Sequence, residues 1–219
     1  MHTRTVQTTL YSFSELSPAA QAHAIEQRRE AVSQGWDSGD VEFTFEDAAH
    51  AAALLGWNIR QTRKTLRDGS HRYAPTIYYS GFWSQGDGAC CEGDWLARNF
   101  NGAELKAEYP KDEELHNIAD EFAAVVAKYP DARFTVKHRG HYSHSGCTEF
   151  DFDYSGNDSE AFHARHGAAD DLKQAARNFM DWIYQRLEAE YEYQCGEEVA
   201  REYLTDCEGE VFDIEGNYA

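Results

Sequence analysis

The stretch Ile77–Gly93, IYYSGFWSQGDGACCEG, decides how the chain is built. Its first half alternates side chains with a period of two, which predicts a strand that is at least half-buried. Its second half places three glycines within eight residues, interleaved with Gln85, Asp87 and Glu92. Such a pattern requires positive φ or the close approach of another group. We therefore predict a strand that ends in a polar turn over residues 84–93, the Gly-rich turn. A binding or catalytic loop is built in this way, and so is an ordinary tight turn.

Around this strand the sequence predicts an α+β fold, with a mainly antiparallel sheet, several packed helices and a helical C-terminal segment. Ser17 and Pro18 predict a helix start, because a hydroxyl caps the first turn and proline fits the first helical position. The Asp68-Gly69 pair predicts a hairpin. The predicted helices cover residues 18–34, 44–55, 111–128, 168–191 and 197–204, the predicted strands cover 6–13, 57–66, 72–83, 134–138 and 150–154, and residues 94–100 fit either a helix or a strand.

Length and composition predict one domain over residues 1–219, with a subdivision near residues 100–110 as the alternative. A hydrophobic content of 42% and an aromatic content of 14% argue against intrinsic disorder.

No apolar run approaches the ~18 residues needed to cross a bilayer, and the N-terminal residues lack the apolar segment of a signal peptide. We expect a soluble protein of the cytoplasm with no membrane partner; the sequence sets no oligomeric state.

Charge is distributed unevenly along the chain. Residues 1–80 contain 8 Lys and Arg against 9 Asp and Glu, whereas residues 81–219 contain 12 against 30. From Glu188 onward there are eleven acidic residues and one basic residue, Arg201. Phosphate contacts need Lys and Arg, so this balance argues against direct nucleic-acid binding and favours a basic protein as partner. A solvated acidic surface without a partner is the alternative.

Three runs of the chain carry a resemblance to a known group of proteins. They are LYSFSELSPAAQAHAI (10–25), YYSGFWSQGDGAC (78–90) and RGHYSHSGCTEFDF (139–152). In content and order they resemble phage and prophage proteins often labelled antitoxin of a toxin–antitoxin stability system. The resemblance implies a small accessory protein of a phage or prophage that acts inside a bacterium. It carries over no catalytic residue.

A second polar turn combines several potential metal ligands. His138, His141, His144 and Cys147 recur every three residues over residues 138–147, the His-rich turn. Imidazole is a natural zinc ligand, so the three histidines are candidate ligands of a zinc ion. The spacing matches no standard zinc motif, and the alternatives are a polar turn without metal and a pH-sensitive surface.

The five cysteines are odd in number, which favours free thiols in a reducing cytosol over a disulfide framework. The adjacent Cys90 and Cys91 would suit nucleophilic chemistry only with an imidazole beside them, which the sequence does not place there. Buried, inert cysteines are the simpler interpretation. The segment SQGDGA (84–89) matches neither a phosphate-binding loop nor a dinucleotide fingerprint. We predict no catalytic residue, and an enzyme is the less favoured class.

One predicted strand would carry three carboxylates, Glu149, Asp151 and Asp153, on a single face. We predict that they bind a partner together with Gln85 and Asp87 of the Gly-rich turn. The predicted partner is a host protein with a basic or nucleic-acid-binding surface, such as an antiphage defence component or a toxin. The predicted function is its inhibition by a surface that mimics nucleic-acid charge. The alternatives are a metal-dependent enzyme or small-ligand binder that uses the Gly-rich and His-rich turns, and a self-assembling structural protein.

Overall fold

A computed structural model describes residues 9–36, 41–66, 68–207 and 209–219. It confirms the α+β class, with antiparallel sheets and a helical C-terminal segment. The described helices are α1 (Pro18–Gly35), α2 (Glu42–Leu54), α3 (Gly102–Glu108), α4 (Glu113–Lys128), α5 (Ser159–His163), α6 (Ala168–Gln194) and α7 (Glu197–Asp206), with 3-10 turns at Phe13–Glu15 and Ala97–Asn99. The described strands are β1 (Trp57–Ile59), β2 (Gln61–Thr65), β3 (His71–Pro75), β4 (Ile77–Ser80), β5 (Gly88–Cys91), β6 (Gly93–Leu96), β7 (Arg133–His138) and β8 (Thr148–Asp153).

The chain divides into two compact units. The terminal unit contains residues 1–40 and 188–219, and the central unit contains residues 41–187. The sequence predicted one domain, with an alternative subdivision near residues 100–110. Within the part of the chain that the structure describes, no helix is long and apolar enough to cross a membrane.

The terminal unit has a small core of its own. The Ser17 hydroxyl accepts a hydrogen bond from the Ala20 N–H at 3.2 Å and caps α1, as predicted. The buried side chains of this core come from both ends of the chain: Phe13, Leu16, Ala20, Ala24, Ile25, Ala200, Leu204 and Phe212. Tyr11 and Phe212 exchange two backbone hydrogen bonds of 2.9 Å. This unit therefore depends on contacts between the first and last parts of the sequence.

The strand predicted over residues 6–13 is wrong for residues 9–13. Tyr11 forms only the isolated bridge to Phe212 among the described residues, and Phe13 begins a 3-10 turn. Residues 6–8 lie outside the described residues. In this segment the side chain of Tyr11 is half-buried and that of Phe13 is buried, each without belonging to a strand.

The central unit is built on a four-stranded antiparallel sheet with the order β1-β6-β7-β8. Its register aligns an aromatic row across the sheet: Trp57 pairs with Trp95, Trp95 with Phe134, and Phe134 with Phe152. The ring of Trp95 lies 5.5 Å from Phe122 of α4, and that of Trp57 lies 5.7 Å from Phe179 of α6. One face of the sheet is therefore buried, and the other face carries polar side chains.

Helix α4 lies in the segment predicted as a helix over residues 111–128, where apolar residues recur at helical spacing. The residues buried along it are Leu115, Ile118, Ala119, Phe122 and Val125, at the spacing of a single helical face. Asp112 caps the helix, since its carboxylate accepts hydrogen bonds from the Leu115 N–H and the Trp182 indole N–H, both at 2.9 Å.

Three pairs of strands meet at Arg60, Thr76 and Glu92, the strand junction. The Arg60 N–H donates to the Glu92 carbonyl at 2.8 Å, the Glu92 N–H to the Thr76 carbonyl at 3.1 Å, and the Thr76 N–H to the Arg60 carbonyl at 2.7 Å. The three bonds form a closed ring, from which β1–β6, β2–β3 and β4–β5 extend. The continuous strands predicted over residues 57–66 and 72–83 are wrong for this reason, because each changes partner at the junction.

Side chains strengthen the junction. Arg60 and Glu92 form an ion pair of 2.7 Å, in which the Glu92 side chain is only 14% exposed. The other carboxylate oxygen of Glu92 accepts the N–H of His138 at 3.2 Å. The hydroxyls of Thr62 and Thr76 are 2.6 Å apart. Glu92 thus ties the junction to the end of β7.

Three further sequence predictions concern where individual helices and strands begin and end. The Asp68-Gly69 hairpin joins β2 to β3 as predicted, and Gly69 has a φ of +83°. The helix predicted from Thr44 begins two residues earlier, at Glu42. Residues 94–100 contain both predicted alternatives, because β6 is followed directly by a 3-10 turn.

We expect Glu92→Gln to lower the free energy of unfolding by roughly 1–3 kcal/mol, because it leaves Arg60 without its partly buried counter-charge. The control is Glu149→Gln, which also breaks an Arg–Glu pair, but one whose side chains are 67% and 65% exposed. An exposed pair contributes under about 1 kcal/mol. Urea unfolding measures both, and equal losses would contradict the importance of the junction.

Candidate functional site

The Gly-rich and His-rich turns lie against each other. A Cβ atom at Gly88 would lie 2.5 Å from the Cβ of His144 and 2.6 Å from its Cα. A Cβ atom at Gly86, where φ is +93°, would overlap the ring of Tyr142. Glycine is therefore needed at both positions because the second turn approaches so closely. The sequence does not show whether the two turns meet, and the structure brings them together. The turn predicted over residues 84–93 is wrong for its second half, because residues 88–91 pair with β4 and form β5.

Within the Gly-rich turn, Asp87 holds the backbone in place. Its Oδ2 accepts the N–H groups of Trp83 at 3.0 Å and Ser84 at 2.6 Å, and its own N–H donates to the Ser84 carbonyl at 3.1 Å. Asp87 therefore acts as a turn residue, with one carboxylate oxygen engaged internally. Gln85, the other predicted binding residue of this turn, is exposed.

His138 connects the His-rich turn to β4. Its ring stacks on that of Tyr78, with centroids 4.5 Å apart and an angle of 28° between the planes. Its Nε2 lies 2.9 Å from the Tyr142 carbonyl, which can only accept, so Nε2 carries a proton. This ring nitrogen is engaged within the turn itself.

His144 contacts Cys147, the one imidazole–thiol hydrogen bond found in the described part of the chain. The Gly146 N–H donates to His144 Nδ1 at 3.0 Å, and His144 Nε2 lies 3.4 Å from Cys147 Sγ. Because Nδ1 accepts, the neutral ring carries its proton on Nε2 and directs it at the sulfur. A general base needs a free lone pair at that nitrogen. The pair is therefore arranged as an N–H donor to sulfur and not as a base that activates a thiol.

The three histidines predicted as zinc ligands do not form a ligand set. His141 packs edge-on against Tyr142 at 5.4 Å, while His138 and His144 make the contacts given above. Over residues 9–36, 41–66, 68–207 and 209–219, no group of three or more His, Cys, Asp or Glu side chains is arranged to hold a metal ion. The described residues of the His-rich turn thus do not fit a zinc ion.

Cys90 and Cys91 are fully buried on β5. Burial raises the pKa of the Cys90 thiol to about 12, with smaller contributions from the neighbouring Cys147 and Glu92. Burial also raises the pKa of Cys91. Thiols that stay protonated at neutral pH are poor nucleophiles. The structure thus agrees with buried, inert cysteines.

The three predicted binding carboxylates do lie in one exposed row, on the polar face of the sheet. The facing row on β7 is partly basic, since Arg133 pairs with Asp153 and Lys137 with Glu149 in the register. Arg133 forms an ion pair with Asp153. Glu149 forms its ion pair with Arg139, at 2.8 Å, just after β7. Asp151 has no ion pair among the described residues. This face therefore has mixed charge.

Two shallow clefts, of about 360 and 410 Å³, lie on this polar face. Both are lined by Thr135 and Asp151. Thr135 also donates a hydrogen bond of 2.6 Å to Asp94 of the next strand. The clefts are gaps between polar side chains of neighbouring strands.

Acidity is concentrated in the terminal unit. Residues 1–40 and 188–219 contain 4 Lys and Arg against 16 Asp and Glu, whereas residues 41–187 contain 16 against 23. Counting charge along the sequence found eleven of these acidic residues, from Glu188 onward, but could not show that residues 1–40 belong to the same unit. Helix α7 alone presents four exposed carboxylates: Glu197, Glu198, Glu202 and Asp206.

Comparison with known proteins places the chain in a family whose function is unknown. Residues 41–197 match the model of a domain of unknown function, DUF8835. The match covers more than half of the chain, so the chain belongs to this family. No curated protein and no solved structure matches it.

We expect Gly88→Ala to destabilise the protein by roughly 1–3 kcal/mol, because the new methyl group would force the two turns apart. Gly35→Ala is the matched control, since a Cβ atom there meets nothing within 4 Å. That change should be neutral or stabilise by up to about 1 kcal/mol. Urea unfolding compares the two, and a neutral Gly88→Ala would contradict the close contact.

The buried thiols predict a loss of stability at high pH. Between pH 9.0 and about 12 the unfolded chain has released the Cys90 proton while the folded chain still holds it. The free energy of unfolding therefore falls as the pH rises above 9, by about 1.4 kcal/mol per pH unit for such a thiol. Urea unfolding from pH 8 to 10.5 measures this slope. Cys90→Ala should make the slope shallower, and an unchanged slope would contradict the raised pKa.

Proposed function

We propose that this member of the DUF8835 family binds a basic protein and inhibits it, without catalysis. The observation that carries the proposal is the charge of the terminal unit, where 16 acidic residues accompany 4 basic ones. Such a surface attracts proteins with clustered Lys and Arg, including those that handle nucleic acid, and repels nucleic acid itself.

The mechanism would be occupation of a site meant for phosphate groups. Carboxylates presented on a helix can pair with the Lys and Arg side chains that otherwise neutralise phosphates. Exposed charges speed encounter and select the partner by sign more than they add affinity. Binding should therefore weaken steeply as salt is added.

The geometry of the two turns supports binding over catalysis. The ring nitrogens of His144 are engaged by Gly146 and Cys147, and the ring nitrogen Nε2 of His138 is engaged by Tyr142. The raised pKa of Cys90 keeps its thiol protonated. These groups serve the contact between the turns, which leaves the enzyme alternative with less support.

The resemblance to antitoxin-labelled phage proteins suggests where the partner would be found. Under this proposal the chain acts in the cytoplasm of a bacterium, and its target is an antiphage defence component or a toxin. The exposed carboxylates of β8 and Gln85 would add a contact surface to the attraction of the terminal unit.

The first test is an affinity pull-down from a bacterial lysate at two salt concentrations, followed by purification of the recovered protein. We expect a basic, nucleic-acid-handling protein that is released at high salt. The variant Glu197→Lys/Glu198→Lys should weaken its binding by about tenfold, because two attractive charges become repulsive.

Glu113→Lys/Glu114→Lys is the matched control. Both pairs are exposed and lie in the first turn of a helix, α4 in one case and α7 in the other. The change in net charge is the same, but the control pair belongs to the central unit. Equal weakening by the two variants, or recovery of an acidic partner, would refute the role of the terminal unit.

A further inference from the structure

Strand β8 lies at an open edge of the four-stranded sheet. It pairs with β7 on one side, and no other strand of the described residues pairs with its second side. Among those same residues, no turn, loop or cap hydrogen bond engages the backbone of residues 149–153. In an antiparallel strand every second residue directs its N–H and C=O away from the partner. The outer side of β8 therefore offers unpaired backbone groups to another strand.

The charges of β8 select against a second copy of the chain. Two antiparallel β8 strands would bring the carboxylates of Glu149, Asp151 and Asp153 against the same three residues. Like charges directly opposite each other in a sheet are destabilising. The edge is therefore protected from self-association by its own sequence.

The same charges favour a basic strand, and β7 shows what such a strand looks like. Its sequence Arg133-Phe-Thr-Val-Lys137 alternates polar and apolar residues. The two basic side chains stand opposite Asp153 and Glu149, while Phe134 and Val136 stand opposite phenylalanines of β8. A strand with this pattern on the open side would meet the same row of carboxylates from the other direction.

The apolar residues of β8 are also only partly covered. Phe150 and Phe152 stack on each other, with centroids 5.7 Å apart and an angle of 8° between the planes, and both are half-buried. On the opposite face of the strand, Asp151 has Thr135 as its cross-strand neighbour and no ion pair among the described residues. Both faces of β8 can therefore gain contacts from an additional strand.

We propose that the open edge of β8 binds an extended segment of a basic partner protein as a fifth strand. The segment alternates Lys or Arg with apolar side chains, so that its basic residues face Glu149, Asp151 and Asp153. Its apolar residues cover Phe150 and Phe152, and its backbone completes the ladder. This inference rests on the proposed function and names the surface and the kind of segment bound.

The probe is the isolated peptide Ala-Arg-Phe-Thr-Val-Lys-His, which repeats residues 132–138. Added to the ¹⁵N-labelled full chain, it should bind saturably and shift the amide signals of β8. Two N-methylated peptides test the ladder, one methylated at Arg, Thr and Lys and the other at Phe and Val. Only one set of N–H groups faces β8 in an antiparallel pair. One methylated peptide should therefore lose about tenfold or more in affinity while the other still binds.

Asp151→Lys should weaken binding of the unmodified peptide by about tenfold. Asp181→Lys is the charge-matched control on α6, where the residue is exposed, and should change the affinity by less than about twofold. Equal affinities for the two methylated peptides, or equal effects of the two variants, would overturn the fifth-strand inference. The chain could still bind a basic partner through its terminal unit, so the proposed function fails only if the pull-down also recovers no basic protein.

Discussion

The ring of three backbone hydrogen bonds among Arg60, Thr76 and Glu92 is the constraint on which the central unit depends. Each residue donates to one neighbour and accepts from the other, so none of the three can move without breaking two bonds. The ring lets three segments change strand partners at one point while their backbone groups remain paired. In the ion pair between Arg60 and Glu92 the guanidinium is 46% exposed but the carboxylate only 14%, and a carboxylate so shielded from water would be costly without a partner.

The junction also explains why the two polar turns meet. From it β4 and β5 extend as a separate pair, and residues 84–87 of the Gly-rich turn lie in the connection between them. Glu92 meanwhile holds the N–H of His138, where the His-rich turn begins. Gly86 and Gly88 then allow the second turn to approach to within contact. His138 and His144 are engaged in this packing, and the thiols of Cys90 and Cys91 are buried. Among the described residues these groups therefore form neither a metal site nor a nucleophile with its base.

Signals confined to a few neighbouring residues predicted the fold well. The Ser17 cap, the Asp68-Gly69 turn and the apolar stripe of α4 each depend on one short segment, and each is present. The breaks at Arg60 and Thr76 were not predictable in this way, because side-chain alternation continues through a residue that changes its strand partner. The spacing of the histidines likewise could not show that a backbone N–H occupies Nδ1 of His144. Counting charge along the sequence found the acidity but could not assign it to a unit formed from both ends of the chain.

The polar face of the sheet shows how one set of residues can serve both folding and recognition. Three carboxylates in a row on β8 would repel one another, and ion pairs with Arg133 of β7 and with Arg139, just after that strand, relieve the repulsion. Each carboxylate has more than one acceptor position, so pairing with β7 does not exhaust its capacity to bind a second cation. The open edge therefore keeps its preference for a basic strand after the fold has formed. Under the proposed function, the terminal unit would raise the rate of encounter through its net charge, whereas the edge would discriminate by the alternation of side chains and by backbone pairing. Charge alone would attract many basic proteins, and a requirement for an extended segment with a period of two would exclude those that offer no such segment.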